Sequence, residues 1–257
     1  EITLLSSRAN STDEAAVVRM TRRATRGLGF NLRYTYGHAM DWNPNEAGSL
    51  TGGDVFDPLD FRQEYGPSNL DIRHSVAGYS IWQAPWKLKG FGGKIANGWL
   101  LSGIGQFHSG LPYSMRTAGS IPEIAGAAGG LAVGLGPGMN GYGGANRVYG
   151  VGRNTYRYPA TWKADVRLGK QFALGRGRDF RLMAESFNLF NHRNVTQIET
   201  VGYTIETGKT PGSIPRLNFL TNATTGQPEF GLPLTGNATD QYRERQFDFG
   251  LRLRFKH

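Results

Sequence analysis

The chain has 257 residues, a formal net charge of +9, no cysteine and a mean hydropathy of −0.42. This composition excludes a membrane-spanning helix, because no stretch reaches the roughly 18 consecutive apolar residues that such a helix needs, and it excludes disulfide frameworks and thiolate metal sites. The basic residues are scattered as single positions instead of forming one block, which argues against nucleic-acid binding.

The chain opens at Glu1 without a basic or apolar leader, so we expect either a removed signal or a missing N-terminal part. Two alternating runs follow, at residues 14–23 and 28–37. The short Thr25-Arg26-Gly27 turn between them predicts a β-hairpin. Because side chains alternate between the two faces of a strand, one face of this hairpin is apolar. Its members are Ala16, Val18, Met20, Phe30, Leu32, Tyr34 and Tyr36.

Five more strands are predicted at 74–86, 99–113, 160–174, 179–191 and 241–255. The phase of the first is ambiguous, since Tyr79 and Ile81 fall on one face and Val76 and Trp82 on the other. The last alternates without a break and is typical of the closing strand of an outer-membrane β-barrel. Its apolar face consists of Phe247, Phe249, Leu251, Leu253 and Phe255.

The connections between these strands alternate strictly in length. Short ones lie at 24–27, 87–98 and 175–178, and long ones lie at 40–73, 114–159 and 192–240. Outer-membrane barrels have short periplasmic turns and long extracellular loops. If the final strand ends in the periplasm, every short connection is periplasmic and every long one is extracellular.

Aromatic residues cluster at the predicted strand ends, as expected for interfacial girdles. The periplasmic row contains Phe30, Trp86, Trp99, Phe172, Phe180 and Phe255. The outer row contains Tyr36, Trp162, Phe190 and Tyr242. The alternative interpretation is that these residues form the core of a soluble β protein.

Seven strands cannot span a membrane by themselves, because an open sheet leaves backbone groups that lipid cannot satisfy. A missed strand at 195–205 would break the alternation of loop lengths. We therefore expect an all-β fold in which residues 1–257 are the C-terminal segment, of about 7–8 strands, of a single larger antiparallel transmembrane barrel.

Five phrases in this order resemble the barrel of TonB-dependent outer-membrane receptors, and most closely the Oar-like branch, whose members often carry a carboxypeptidase-regulatory-like domain. The resemblance covers nearly the whole chain from about residue 14. The phrases are TRRATRGLGFNLRYTYGHAMD (21–41), LDIRHSVAGYSIWQAPW (70–86), GWLLSGIGQFHSGLPYSM (98–115), GRNTYRYPATWKADVRLGKQF (152–172) and RLMAESFNLFNHRNV (181–195).

The resemblance implies a 22-stranded barrel with an N-terminal plug, located in the bacterial outer membrane. Substrate enters from outside, and an inner-membrane TonB-type complex pulls on an N-terminal box to move the plug. The implied partners are outer-membrane lipid, the barrel-assembly machinery, this energy-transducing complex and an unknown substrate. Neither box nor plug lies in this chain, which also departs from the family by ending on Lys256 and His257.

The polar positions of the strands predict a lumen-facing set. Its members are Arg19, Arg23, Arg33, Asp165, Arg167, Arg181, Glu185, Asp248, Arg252 and Arg254. Such a wall attracts anionic substrates, or its charges pair with one another and with the plug, which is the interpretation we favour. The glycine-rich loop at 119–146 is either a substrate lid or a long external loop.

No catalytic chemistry is evident. The five histidines fall on separate elements without metal-ligand spacing, and no nucleophile-elbow, phosphate-loop or zinc-protease motif occurs. We therefore expect no enzyme activity, cofactor or metal. Two alternatives to a plug-gated transporter stay open: a passive or structural barrel, such as a porin or an adhesion or export protein, and a soluble β-sandwich binding module.

Overall fold

A computed structural model describes residues 9–42, 61–118, 147–148, 150–175, 178–206, 216–234, 240–241 and 244–255. Almost all regular structure in these residues is β. In chain order the elements are β1 (Ser11–Thr25), β2 (Leu28–Asp41), a 3-10 turn (Phe61–Glu64), β3 (Gly66–Pro67), β4 (His74–Gln83), α1 (Gly90–Ala96), β5 (Trp99–His108), β6 (Pro112–Tyr113), β7 (Arg116–Ala118), β8 (Tyr156–Arg157), β9 (Thr161–Gly175), β10 (Arg178–Phe187), β11 (Asn194–Val195), β12 (Val201–Glu206), β13 (Arg216–Phe219), β14 (Asp240–Gln241) and β15 (Gln246–Phe255).

Seven long strands form one antiparallel meander in the order β1-β2-β4-β5-β9-β10-β15, and β3 pairs with β2 beside it. Each long strand pairs with the long strands that precede and follow it in the chain, across short and long connections alike. The seven strands are 10 to 15 residues long, which reaches the roughly 9–11 residues that a membrane-crossing strand needs. The predicted all-β antiparallel fold and its seven strands are confirmed.

Three predicted strand ends and one predicted strand start are wrong. β4 ends at Gln83 instead of 86, β5 ends at His108 instead of 113, and β10 ends at Phe187 instead of 191. β15 begins at Gln246 instead of 241. Beyond β5 the backbone turns away, and residues 112–113 pair with β8; before β15, Gln241 pairs with β11. Past β4 and β10, single hydrogen bonds from Ala84 to Trp99 and from Leu189 to Ala164 still reach the neighbouring strand, but regular pairing has stopped.

The register gives the sheet one continuous apolar face. Residues paired across neighbouring strands project from the same side, so pairings such as Tyr34 with Val76, and Ala184 with Phe249, join the apolar positions of successive strands. We call this side the apolar face. It contains Ala16, Val18, Met20, Phe30, Leu32, Tyr34, Tyr36, Val76, Trp82, Trp99, Leu101, Phe107, Trp162, Val166, Leu168, Phe180, Leu182, Phe247, Phe249, Leu251 and Leu253.

The same register resolves the phase of β4. Val76 pairs with Tyr34 and with Phe107, so Val76 and Trp82 belong to the apolar face. Tyr79 and Ile81 therefore project from the opposite side, which we call the polar face. Pairing decided between two phases that were equally apolar in the sequence.

Burial in the described residues is inverted relative to a soluble domain. Large apolar residues of the apolar face are exposed, up to 83% for Phe249, whereas the four largest fully buried side chains are Glu64, Asp71, Asn188 and Asn194. A soluble monomer rarely exposes a contiguous apolar patch of this extent. These polar residues lie where the long connections leave the sheet; we call this the long-loop end, and its opposite the short-turn end.

The candidate extra strand at 195–205 does not join the sheet. β12 covers its second half and pairs with β13 and with β7, in a small sheet formed by the long connections. The alternation of loop lengths along the meander is therefore kept.

The sheet is open. β1 pairs only with β2, and β15 pairs only with β10, so each has one unpaired edge within the described residues. Among the described residues the one α-helix is α1, which has seven residues. No helix in this part of the chain is long and apolar enough to cross a membrane.

Candidate functional site

Buried ion pairs hold the long connections against the sheet at the long-loop end. Arg153 is 3% exposed and forms an ion pair with Asp41, the last residue of β2. Its guanidinium also donates to the carbonyl oxygens of Glu64 (2.8 Å), Asp41 (2.8 Å) and Gly66 (3.2 Å). The carboxylate of Glu64 lies 2.5 Å from Arg147. We call these four charged residues the Arg153 cluster.

A second cluster surrounds the buried carboxylate of Asp71. It forms ion pairs with Arg157 and with Arg73 (3.0 Å), and it accepts a hydrogen bond from the backbone N–H of Ala39 (2.8 Å). His38 Nδ1 lies 3.3 Å from the same carboxylate. Burial by itself raises the pKa of Asp71, but the hydrogen bonds from Ala39, Arg157, His38 and Arg73 outweigh it and lower the pKa. The Asp71 carboxylate is therefore ionised at neutral pH. We call it and these partners the Asp71 cluster.

The SGLPY phrase turns the chain at the end of β5. Ser109 exchanges two hydrogen bonds with His74, and the N–H of Tyr158 donates to the carbonyl of Leu111. A Cβ on Gly110 would lie 1.6 Å from the carbonyl oxygen of Tyr158, so only glycine fits there. The phrase joins two long connections to the edge of the sheet at the long-loop end, which we call the rim.

The FNLFNH phrase closes the end of β10 in a similar way. Asn188 and Asn191 adopt the left-handed backbone region, where asparagine is among the favoured residues. The N–H of Asn188 donates to the Asp165 carboxylate at 2.8 Å, and the Asn188 amide bonds to the backbone of His192. The Trp162 ring stacks on His192 at 4.3 Å.

A polar cleft of about 390 Å³ opens between these connections. Its lining includes Arg116, Arg147, Arg153, Asn154, Tyr113 and Tyr158. Burial raises the pKa of Tyr113, which the neighbouring Tyr156 and Tyr158 raise further; burial also raises the pKa of Tyr158, against the opposing effect of Arg116. Both phenols are therefore protonated donors at neutral pH. Because Arg147 and Arg153 are buried in ion pairs with Glu64 and Asp41, the exposed donors of the cleft are those of Arg116 and the two phenols. Such donors suit an anionic or hydroxyl-rich ligand.

Nine of the ten residues predicted to face a lumen project from the polar face by register, and Arg23 lies in the bulged stretch between Arg22 and Thr25. Several pair with each other or with neighbours: Arg167 with Glu185 at 2.7 Å, Lys163 with Asp165 at 3.0 Å, and Arg254 with Asp179 at 2.9 Å. Within the described residues, Arg19, Arg33 and Arg252 form no ion pair. That this face lines a lumen stays a prediction.

The polar face also carries an apolar patch, formed by Tyr79, Ile81 and Ile104. Tyr79 is 58% exposed and Ile104 is 65% exposed. A groove of about 350 Å³ runs from this patch to the Arg167–Glu185 pair and Phe187. The patch was not identified from the sequence, because the phase of β4 was ambiguous.

The predicted aromatic rows fall at the two ends of the sheet. At the short-turn end Phe172 and Phe180 lie 5.9 Å apart, and Trp86 packs on Trp82 at 5.7 Å. At the long-loop end Trp162 contacts Phe190 at 5.6 Å. Phe30 and Trp99 also lie toward the short-turn end of their strands. Tyr242, the glycine-rich loop at 119–146 and the side chain of Phe255 lie outside the described residues.

In the part of the chain that the structure describes, no group of three or more His, Asp and Glu side chains is arranged to hold a metal ion. The arrangement is that of a barrel wall: long antiparallel strands, an apolar face that needs a non-aqueous neighbour, and a charged opposite face.

The fold and its two faces define an outer-membrane β-barrel protein. The chain belongs to the family described as outer membrane beta barrel domain, which matches residues 1–228. No curated protein and no solved structure gives a significant match. β15 lies beyond the matched region, but it pairs with β10 through all ten of its residues and so continues the same sheet.

The buried clusters at the long-loop end were missed from the sequence. The Arg153 cluster extends from residue 41 to residue 153 of the sequence, more than a hundred residues. No spacing rule links its four members. The sequence did contain one indication that these positions matter. The phrases that carry the family resemblance include Asp71, Arg73, Arg153 and Arg157.

Proposed function

We propose that this chain forms the C-terminal part of a TonB-dependent outer-membrane receptor of the Oar-like type, and that the complete protein performs plug-gated, energised uptake of a substrate. On this proposal it is not an enzyme. The polar face lines the lumen, and the long-loop end with its polar cleft faces the outside, where substrate first binds.

The apolar patch of Tyr79, Ile81 and Ile104 is the observation that carries the proposal. A water-filled channel has a polar interior, whereas other barrels fill the lumen with protein. Large exposed apolar side chains on the lumen side are costly in water and mark a surface that another protein surface covers. A plug packed against β4 and β5 would cover this patch.

The unpaired edges of β1 and β15 support a barrel with more strands. Each backbone group left unsatisfied in lipid costs several kcal/mol, so further strands must pair with both edges. Barrels of 22 strands enclose a wide lumen that is plugged. Arg19, Arg33 and Arg252, which lack an ion pair within the described residues, would then face carboxylates of the plug or an anionic substrate.

Electrical conductance of the complete protein in planar bilayers tests the plug. We expect the wild-type barrel to be closed and to conduct only after urea unfolds the plug. The Ile104→Asp variant should conduct without urea, because the substitution weakens the contact between the plug and the apolar patch. Gln106→Asp is the matched control, since it adds the same charge two residues along the same strand without removing an apolar contact.

A large conductance in the wild type without urea would favour the passive porin instead. A barrel that stays closed even in urea would favour a structural or adhesion protein. Energised transport additionally requires that the complete protein retain the C-terminal domain of a TonB protein in a binding assay, and loss of that binding would leave transport without its energy source.

A further inference from the structure

The connection between β4 and β5 exposes an unusual number of apolar side chains at the short-turn end. Trp86, Leu88, Phe91 and Ile95 are all at least half exposed, and Phe91 reaches 78%. Phe91 and Ile95 are four residues apart on α1, so they share one face of the helix. Trp86 contacts Trp82 at 5.7 Å, and the outer side of the segment stays exposed.

The same segment is basic. Lys87, Lys89 and Lys94 are exposed, and none of them forms an ion pair with a described residue. No acidic residue occurs between Asp71 and Glu123, so nothing nearby in the sequence neutralises the three charges. A short segment that combines exposed Trp, Phe and Leu with several lysines is typical of a membrane-surface element.

Lys170 fixes the side of the sheet on which α1 lies. Its register places it on the apolar face, opposite Trp99 and Leu182. Although it is only 5% exposed, its ammonium group donates to the carbonyl oxygen of Ile95 at 2.5 Å and to that of Asn97, and it lies 4.9 Å from the Trp99 ring centre. A cation at these carbonyls also complements the C-terminal end of the helix dipole.

Two further contacts hold the segment in place. The Trp99 indole N–H donates to Ile95 at 2.9 Å, and the Asn97 amide bonds both to the N–H and to the carbonyl of Leu88. Three of the seven residues of α1 are glycine, a poor helix former. The helix is therefore stabilised by these local hydrogen bonds together with those from Lys170, and the bonds from Lys170 place it on the side of the apolar face.

An apolar niche of about 640 Å³ separates α1 from the sheet. It lies between Ile95 on the helix and Leu168, Leu182, Phe249 and Leu251 on the apolar face, with the Lys170 stem at its end. The niche is continuous with the surface that the family places against lipid. Its volume and its apolar lining suit a hydrocarbon chain.

We propose that residues 84–98 form an interfacial anchor that binds an anionic phospholipid of the periplasmic leaflet. Lys87, Lys89 and Lys94 contact the headgroup phosphate, Trp86 and Phe91 enter the boundary between headgroups and acyl chains, and an acyl chain occupies the niche beside Ile95. The anchor fixes the depth of the barrel wall at its short-turn rim. This inference rests on the periplasmic position of the short turns, and it does not require a plug or energised transport.

The test uses the complete protein folded in phospholipid vesicles, with an environment-sensitive dye on a Phe91→Cys variant; this chain contains no other cysteine. We expect blue-shifted emission, and we expect brominated phosphatidylglycerol to quench it at least twofold more strongly than the same fraction of brominated phosphatidylcholine. Replacing Lys87, Lys89 and Lys94 together with Gln should remove this excess. Ala223→Cys, an exposed position of a long connection, is the control and should not be quenched.

Equal quenching by the two lipids would overturn the headgroup contact. Heat-modifiable migration on a gel first shows that the barrel is folded. If neither lipid then quenches the dye, membrane binding is overturned. A blue shift without quenching would indicate that a protein partner covers position 91 instead of lipid. Both leaflets of the vesicles have the same lipids, so the direction of insertion does not affect the result. A negative result in this quenching experiment does not affect the conductance test of the plug.

Discussion

At the long-loop end of the sheet, the fully buried Glu64 and Asp71 are held by arginines from connections distant in the chain, whereas at the short-turn end Trp86 and Phe91 are at least half exposed on a segment of fifteen residues. The first end excludes solvent from charges by pairing them. The second exposes apolar groups that need a non-aqueous neighbour. On the proposals made above, the long-loop end is a polar cap in water and the short-turn end is completed by lipid.

The largest expected effect is on the polar cap. Arg153→Ala removes a nearly buried guanidinium and leaves the Asp41 carboxylate without it, and breaking a buried pair costs about 3–5 kcal/mol. Hydrogen exchange of peptides 61–73 and 147–158 in the folded complete protein should accelerate, while peptides of β9 and β10 stay protected. Arg254→Ala breaks the half-exposed pair with Asp179 and should change protection by about 0–1 kcal/mol at most. Equal effects would mean that the cap is not held by buried charge.

The two faces of the sheet can be compared at adjacent residues of one strand. Val17 and Val18 of β1 are 52% and 56% exposed and project from opposite faces. If the apolar face meets lipid, Val18→Arg near the strand centre costs about 2–4 kcal/mol, whereas Val17→Arg on the polar face costs little. Folding titrations of the complete barrel into vesicles measure both. The opposite order would place lipid on the polar face and reverse the orientation of the wall.

The rim is also sensitive to close packing. Gly110→Ala forces the SGLPY turn away from Tyr158 and should destabilise the long-loop end by about 1–3 kcal/mol. Gly105→Ala on the same meander is the control, because the nearest atom to its added Cβ is 4.0 Å away. The urea dependence of a dye placed at Leu70→Cys reports the rim. A rim that tolerates both substitutions equally would show that the close approach of residues 110 and 158 is not required.

The smallest effect is expected from pH. Asp71 has a lowered pKa in the folded protein, so its contribution to stability is present above the ordinary carboxyl value of about 4 and is lost as the pH falls through the lowered value. Emission of the dye at position 70 should stay constant from pH 8 to about 4 and change below it. Asp71→Asn should already show the altered emission at neutral pH. A transition in the wild type near pH 6 would instead implicate a histidine.

Alternation in the sequence was sufficient to predict the seven strands, their antiparallel order and the apolar positions within most of them, because the period of two is a property of each strand alone. The residues of β15 are the plainest case: Phe247, Phe249, Leu251 and Leu253 share one face whatever the strand pairs with. The match of residues 1–228 to the outer membrane beta barrel domain family supports the predicted outer-membrane location.

Only the tertiary structure decided which phase of β4 joins the apolar face, because both phases are apolar and the choice depends on pairing with β2 and β5. It alone assembled the Asp71 and Arg153 clusters, whose members are brought together by long connections that have no period. It also placed Lys170, which the alternation puts on the apolar face, beneath the carbonyl groups of α1. A charge at that position is stabilised by partners some seventy residues away, and no local property of the sequence specifies them.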